Sequence, residues 1–60
     1  MNTEIFKNMV LTALAGLERE PEEMDIIFFI GQVSHIENRL TTEEKIQIFR
    51  EIKSLVIEEV

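Results

Sequence analysis

Residues 24–30 of the chain are MDIIFFI, so six of seven consecutive side chains are apolar. A surface helix ordinarily carries one apolar stripe, and this segment holds more apolar residues than one stripe accommodates. At about 100° per residue, the apolar side chains of a helix around this segment divide into two groups on different sides. The group expected to face the core comprises Ile26, Phe29, Ile30, Val33, Ile36 and Leu40. The second group comprises Met24, Ile27, Phe28 and Gly31, and it becomes polar at His35.

Turn and capping residues divide the chain into three helices and predict an all-α fold. Gly16 and the charged sequence EREPEE end the first helix, and Pro21 suits the first turn of the second. Thr41, followed three residues later by Glu44, forms a capping box that starts the third helix. The short connection between the second and third helices predicts an antiparallel hairpin. The predicted helices span about residues 3–18, 21–40 and 42–59, within a single helical domain of residues 1–60.

The chain is short for the amount of apolar surface that it carries. A chain of 60 residues, 45% of them apolar, buries only ~60% of the surface that its unfolded form exposes. The sequence contains no cysteine, so no disulfide or thiolate zinc site can supplement a small core. Domains of this size often gain stability by oligomerising, and we therefore expect a helical-bundle homodimer. The alternative is a central second helix, covered by the first helix on one side and the third on the other.

The surplus apolar surface is expected to bind protein. Apolar residues of the third helix spread over roughly 200°, about twice the width of one buried face. We predict an interaction surface formed by Met24, Ile27, Phe28, Gly31, His35, Ile46, Phe49 and Ile57. The net charge of −6 favours a partner with a basic surface. Direct binding to nucleic acid is disfavoured, because the six basic residues are scattered along the chain.

Membrane insertion and catalysis are not expected. The longest purely apolar run, IIFFI, is far shorter than the ~20 residues that span a bilayer, and a cytoplasmic location is the default expectation. His35 is the only candidate general base, and the adjacent Ser34 would point about 100° away from it on a helix. The acidic residues between Glu18 and Asp25 lack the glycine-containing loop of calcium sites. With no phosphate loop, dinucleotide fingerprint or histidine pair, we predict a non-enzyme without metal or cofactor.

The second half of the chain also resembles a known module. From Phe29 to Val56, FIGQVSHIENRLTTEEKIQIFREIKSLV, the apolar spacing is similar to that of the BESS motif of insect chromatin proteins, a helical self-association module. The serine and proline usual in that family correspond to Gln32 and His35, so the similarity lies in the apolar spacing. In size and acidity, the hairpin is similar to small dimeric helical regulators of the plasmid RNA-binding type. These resemblances imply self-association, and architecture alone does not carry function.

Two functional hypotheses follow. The first is a non-enzymatic, small acidic helical protein that self-associates and binds another protein, which it modulates as an inhibitor or adaptor. The alternative is a self-association module or small dimeric regulator linked to transcription or nucleic acid, whose dimer gathers Lys45, Arg50 and Lys53 into a stripe. A membrane-surface helix is disfavoured, because the polar face of such a helix is basic and here it is acidic.

Overall fold

The computed structural model describes residues 3–57, which form three helices and no strand. The helices are α1 (Thr3–Ala15), α2 (Glu23–Ile36) and α3 (Thr42–Val56), and all three pack against one another. The core consists of eight buried apolar residues from all three helices and from the connection after α2, namely Phe6, Val10, Leu14, Ile26, Val33, Leu40, Ile48 and Ile52. Within each helix these residues recur at intervals of four or seven, the spacing of one helical face. The predicted all-α fold of three packed helices is confirmed.

Helix α1 ends three residues before the predicted residue 18. The N–H of Gly16 donates to the carbonyl of Ala13 (3.1 Å), and the N–H of Leu17 donates to that of Leu14 (3.1 Å). Bonds that span three residues tighten the last turn and satisfy carbonyls at the helix end. The charged residues that follow therefore lie in the connection to α2.

Helix α2 starts at Glu23, two residues later than predicted, with Glu22 as its N-cap. The Asp25 carboxylate accepts a hydrogen bond from the N–H of Glu22 (2.8 Å) and two from the Arg19 guanidinium (2.6 and 2.7 Å). These bonds, first those from Arg19 and then that from Glu22, lower the pKa of Asp25 to about 2. The acidic residues of the first turn, Glu23 and Asp25, lie at the positive end of the helix dipole.

Helix α2 ends at Ile36, four residues before the predicted Leu40. Glu37 adopts an extended backbone, and its carboxylate accepts hydrogen bonds from the N–H of Arg39 (2.9 Å) and from the Arg39 guanidinium (2.8 and 2.9 Å). The Glu37 side chain is only 8% exposed, and the bonds from Arg39 lower its pKa to about 2. Ile36, predicted to face the core, is 75% exposed. That prediction was wrong because the chain leaves the helix at this point and buries Glu37 and Leu40.

Helix α3 starts where the capping box predicted. The Thr41 hydroxyl accepts a hydrogen bond from the N–H of Glu44 (3.1 Å), and the Glu44 carboxylate accepts one from the N–H of Thr41 (2.9 Å). The helix ends at Val56, and Ile57 caps it by donating its N–H to the carbonyl of Lys53 (2.9 Å). The predicted end at residue 59 lies outside the described residues.

Replacing Thr41 by alanine is expected to lower the free energy of unfolding by roughly 0.5–2 kcal/mol, because the side-chain acceptor of the first turn is lost. The matched control is Thr42→Ala, which changes the first residue inside the helix and leaves the cap intact. Urea unfolding followed by circular dichroism measures both. Equal losses from the two variants would contradict the assignment of Thr41 as the cap.

Ion pairs connect the helices at their surfaces. Lys7 of α1 binds Glu51 of α3 (3.2 Å), and Lys53 near the end of α3 binds Glu23 at the start of α2 (3.3 Å). Exposed pairs of this kind contribute at most about 1 kcal/mol each. The apolar core therefore supplies most of the stability, and the ion pairs mainly favour one arrangement of the helices.

Acidification is expected to destabilise the fold through Asp25 and Glu37. Both carboxyls have a pKa of about 2 in the folded chain, below their ordinary values of 3.8 and 4.5. Their stabilising contribution is therefore complete above the ordinary carboxyl range and is lost as the pH falls toward about 2. The urea midpoint of the wild type should fall between pH 5 and pH 2, roughly the span of these two pKa ranges. Asp25→Asn and Glu37→Gln should each begin lower at neutral pH and fall less. Parallel pH profiles for all three proteins would contradict this account.

Candidate protein-interaction surface

The outer side of α2 carries large apolar side chains that the rest of the described chain does not cover. Met24 is 78% exposed, Ile27 59% and Phe28 58%. Gly31, one turn further along, is also exposed. Together with the half-exposed Ile46 of α3, these residues form what we call the apolar face. The alternative in which α2 lies centrally, covered on both sides, is therefore wrong for the single chain.

A groove of about 280 Å³ runs between α2 and α3 beside this face. It is lined by Ile27, Ile30, Thr42, Lys45, Ile46 and Phe49. The groove brings together three of the predicted interaction residues, Ile27, Ile46 and Phe49. Phe49 is partly buried and packs against the core, so it connects the groove with the interior. The walls are mostly aliphatic and aromatic, and the stem of Lys45 can add apolar surface while its ammonium stays in water.

Phe28 is held in place by its neighbour. Its ring contacts the ring of Phe29 edge to face, with centroids 5.3 Å apart and planes at 70°. Phe29 is partly buried and packs against the core. Edge-to-face pairs at this distance are attractive. The exposed phenyl ring is therefore positioned on the surface by a ring that belongs to the fold.

Three residues of the apolar face, Ile27, Phe28 and Gly31, lie in a segment of α2 without formal charge. No Asp, Glu, Lys or Arg occurs between Asp25 and Glu37. The Ser34 hydroxyl donates to the carbonyl of Ile30 (2.7 Å), so the hydrogen of this neighbouring polar group is used within α2. The ion pair of Glu23 and Lys53 lies at the start of α2, before the uncharged segment. A partner could thus cover the part of α2 between Ile26 and Ile36 without dehydrating an Asp, Glu, Lys or Arg side chain of that segment.

Two predicted residues belong neither to the apolar face nor to the lining of the groove. His35 is exposed one turn beyond Gly31, at the polar end of the face. Ile57 packs against the core and lines a different pocket, of about 480 Å³, with Leu11, Leu14, Ala15, Glu20, Pro21 and Val56. The structure therefore does not bring Ile57 together with Ile46 and Phe49.

Sequence reasoning missed three lining residues of the groove, Ile30, Thr42 and Lys45, and several exposed apolar residues. Ile30 was assigned to the core alone, although it contributes to both the core and the groove. Lys45 was considered only for its charge. Ile5 and Leu55 are exposed at 49% and 62% on the other helices. The position of Ile30 between the two groups of α2 side chains was the signal that could have identified its double role.

Residues 3–57 contain no group of three or more His, Cys, Asp or Glu side chains that could hold a metal ion. Within the same part of the chain, no helix is long and apolar enough to cross a lipid bilayer. Of the three basic residues considered for a nucleic-acid stripe, Lys53 pairs with Glu23 and Lys45 lines the groove. The most distinctive surface of the described chain is thus the apolar face.

Comparison with known proteins gives no relative from which a function could be transferred. No protein-family model, curated protein or solved structure matches the chain. The similarity in apolar spacing to the BESS motif is therefore not accompanied by a match to a family model. The surface has to be interpreted from its own geometry and chemistry.

Proposed function

We propose that this chain is a non-enzymatic interaction protein that self-associates through the apolar face and binds and modulates another protein. The observation that carries the proposal is the exposure of Met24, Ile27 and Phe28 together on one side of α2. Soluble monomers rarely expose contiguous apolar surface of this kind without a function for it. Single exposed apolar side chains are common on protein surfaces. Met24, Ile27 and Phe28 differ from that case because they are adjacent on one side of α2.

Association would bury apolar side chains that the single chain leaves exposed. Complete burial of a Met, Ile or Phe side chain is worth about 1.5–3 kcal/mol, and each of these residues already has part of its surface covered. Several such side chains in each of two copies supply a driving force comparable with the stability of a small domain. Association would therefore stabilise both the complex and the fold of each copy.

The arrangement of α2 and α3 supports a hairpin that presents this surface. The connection is short, residues 37–41, and the pair of Glu23 with Lys53 joins the start of α2 to the end of α3. These contacts fit an antiparallel hairpin whose two helices form the walls of the groove. Two such hairpins packed face to face would make a four-helix layer, with α1 of each copy on the outside.

A different protein would bind elsewhere on the surface. The chain has twelve acidic and six basic residues, and outside the apolar face its helices and connections are rich in exposed carboxylates such as Glu18, Glu20 and Glu22. An acidic surface attracts a partner with basic residues and accelerates the encounter at low ionic strength. We therefore propose that a basic protein surface is the target of modulation.

Self-association is tested by sedimentation equilibrium over the micromolar range. We expect a dimer or larger species and a melting temperature that rises with protein concentration, because folding is then linked to association. A 7.0 kDa species at every concentration, with a constant melting temperature, would contradict the proposal.

Partner binding is tested by measuring how the affinity of a captured protein depends on salt. A partner whose basic residues were replaced by neutral ones should lose affinity and lose its salt dependence. Binding of DNA or RNA by the protein alone, with a steep salt dependence, would instead favour a regulator linked to nucleic acid.

A further inference from the structure

Gly31 lies on the apolar face, at a position where the fold of the single chain does not require a glycine. Glycine in a helix interior is disfavoured relative to alanine, and Gly31 is the ninth of the fourteen residues of α2. No described glycine has a positive φ, so the backbone here suits any L-residue. A Cβ at Gly31 would meet no atom within 4 Å. Nothing in the conformation or packing of residues 3–57 therefore explains a glycine at this position.

The surroundings of Gly31 suggest what the missing side chain permits. Ile27 and Phe28 lie one turn before it, and His35 lies one turn after it, all on the exposed side of α2. Gly31 thus leaves backbone uncovered between larger side chains. The distance between packed helices is ~8–10 Å and depends on the side chains at the contact. A glycine at the crossing point allows a second backbone to come closest there.

The charge distribution favours a second copy of the chain over a basic partner at the side of α2 around Gly31. The chain carries −6 overall, so a basic partner would be drawn to the acidic surfaces and would find no carboxylate between Asp25 and Glu37. A second copy of the chain is repelled by those acidic surfaces and can approach only through an uncharged one. The side of α2 around Gly31 is such a surface, and it needs no complementary charge. A second copy therefore fits this face better than a basic partner does.

The area of the outer side of α2 determines whether other parts of the chain have to join the interface. A helix of fourteen residues is about 21 Å long, and half of its cylinder covers roughly 350 Å². A stable interface takes about 800 Å² from each partner. The outer side of α2 alone is therefore too small, and Ile46 with the groove beside it has to join the contact. The groove is continuous with the outer side of α2, because Ile27 lies on both.

We propose that two copies of this chain associate by crossing their α2 helices at Gly31, on a two-fold axis, with the α3 edge that bears Ile46 completing the interface. The inference rests on the proposed self-association and specifies its geometry. Two-fold contacts are the commonest in homo-oligomers, and a residue on the axis meets its own counterpart. Each Gly31 thus faces Gly31 of the other copy, where two larger side chains would hold the helices apart.

The test compares Gly31→Ala and Gly31→Leu with the wild type by sedimentation equilibrium. Gly31→Ala should keep or raise the helical content of the isolated chain, because alanine favours helix and its Cβ has open space. The same substitution should raise the dissociation constant about tenfold, and Gly31→Leu about a hundredfold, since both overpack the crossing. Alanine should thus favour the helix of the isolated chain and weaken the dimer. A glycine with a purely structural role in the single chain would not give these two opposite effects. If Gly31→Leu fails to fold, Gly31→Ala still decides the matter.

The control is Ser54→Leu, which adds a similar bulk at an exposed position of α3 away from the groove. It should leave the dissociation constant within about threefold of the wild type, a change of less than 1 kcal/mol. A wild type that dimerises while Gly31→Ala and Gly31→Leu dimerise equally well would overturn the crossing at Gly31 and leave self-association standing. A wild type that stays monomeric throughout the micromolar range would overturn both.

Discussion

Phe6→Ala is expected to unfold the chain at protein concentrations where it is monomeric. Phe6 is fully buried, and it packs in the core with Val10, Ile26 and Ile52. Truncating a buried phenylalanine costs about 3–5 kcal/mol through lost apolar burial and the cavity that remains. The core of a domain this small rarely supplies more than about 3–5 kcal/mol in total. The loss therefore consumes most of the stability.

The measurement is urea unfolding followed by circular dichroism at one low protein concentration. The matched control is Phe28→Ala, the same substitution at a residue that is 58% exposed. It removes the edge-to-face contact with Phe29, worth about 0.5–1.5 kcal/mol, and leaves no cavity in the core. A Phe6→Ala variant as stable as Phe28→Ala would contradict the position of Phe6 in the interior.

The features predicted correctly from the sequence are those determined by local interactions. The capping box of Thr41 and Glu44 involves residues three apart, and both of its hydrogen bonds are present. The division of α2 side chains into two groups follows from helix geometry alone. It correctly predicted that Ile26 and Val33 are buried, and it separated them from Met24, Ile27 and Phe28.

The end of α2 could not be predicted from apolar periodicity. Leu40 fits the periodic pattern and is buried, yet it reaches the core from the connection between helices. What ends the helix is the set of hydrogen bonds that the Glu37 carboxylate accepts from Arg39. A carboxylate two residues before an arginine is not among the usual stop signals of a helix, such as glycine or proline, so the end at Ile36 was not predicted. The error at Ile36 follows directly, because the periodic pattern was extended past the true end.

The composition of the groove depends on how two helices are placed relative to each other. Ile46 and Ile57 lie on similar sides of a helical wheel, which is why both were predicted to interact. They are eleven residues apart, or about 16 Å along a helix, and Ile57 follows the last residue of α3. A helical wheel shows the angular position of a residue around the helix axis, but it does not show the position along that axis. The same omission hid the fact that Lys45 lies close enough to Ile27 to line one groove.

Phe28→Asp is expected to abolish self-association and to leave the fold of the monomer intact. The side chain points away from the core in the single chain, so an aspartate there remains hydrated and costs the monomer little beyond the contact with Phe29. In an interface the same carboxylate would be dehydrated, and residues 26–36 around it offer no basic side chain to pair with it. We expect the dissociation constant to rise by about two orders of magnitude or more, a change of roughly 3 kcal/mol. Circular dichroism should report nearly unchanged helical content at high concentration.

The control for this prediction is Leu55→Asp. Leu55 is 62% exposed on α3 and does not line the groove between α2 and α3. The substitution adds the same single negative charge to a chain of net charge −6, so general repulsion between copies rises equally in both variants. The two variants differ in whether association dehydrates the added carboxylate. Leu55→Asp should keep its carboxylate in water and should therefore dimerise almost as the wild type does. If Phe28→Asp dimerises like Leu55→Asp, the apolar face is not the interface. If it unfolds like Phe6→Ala, Phe28 belongs to the core, and the proposal of an interaction surface on α2 loses its physical basis.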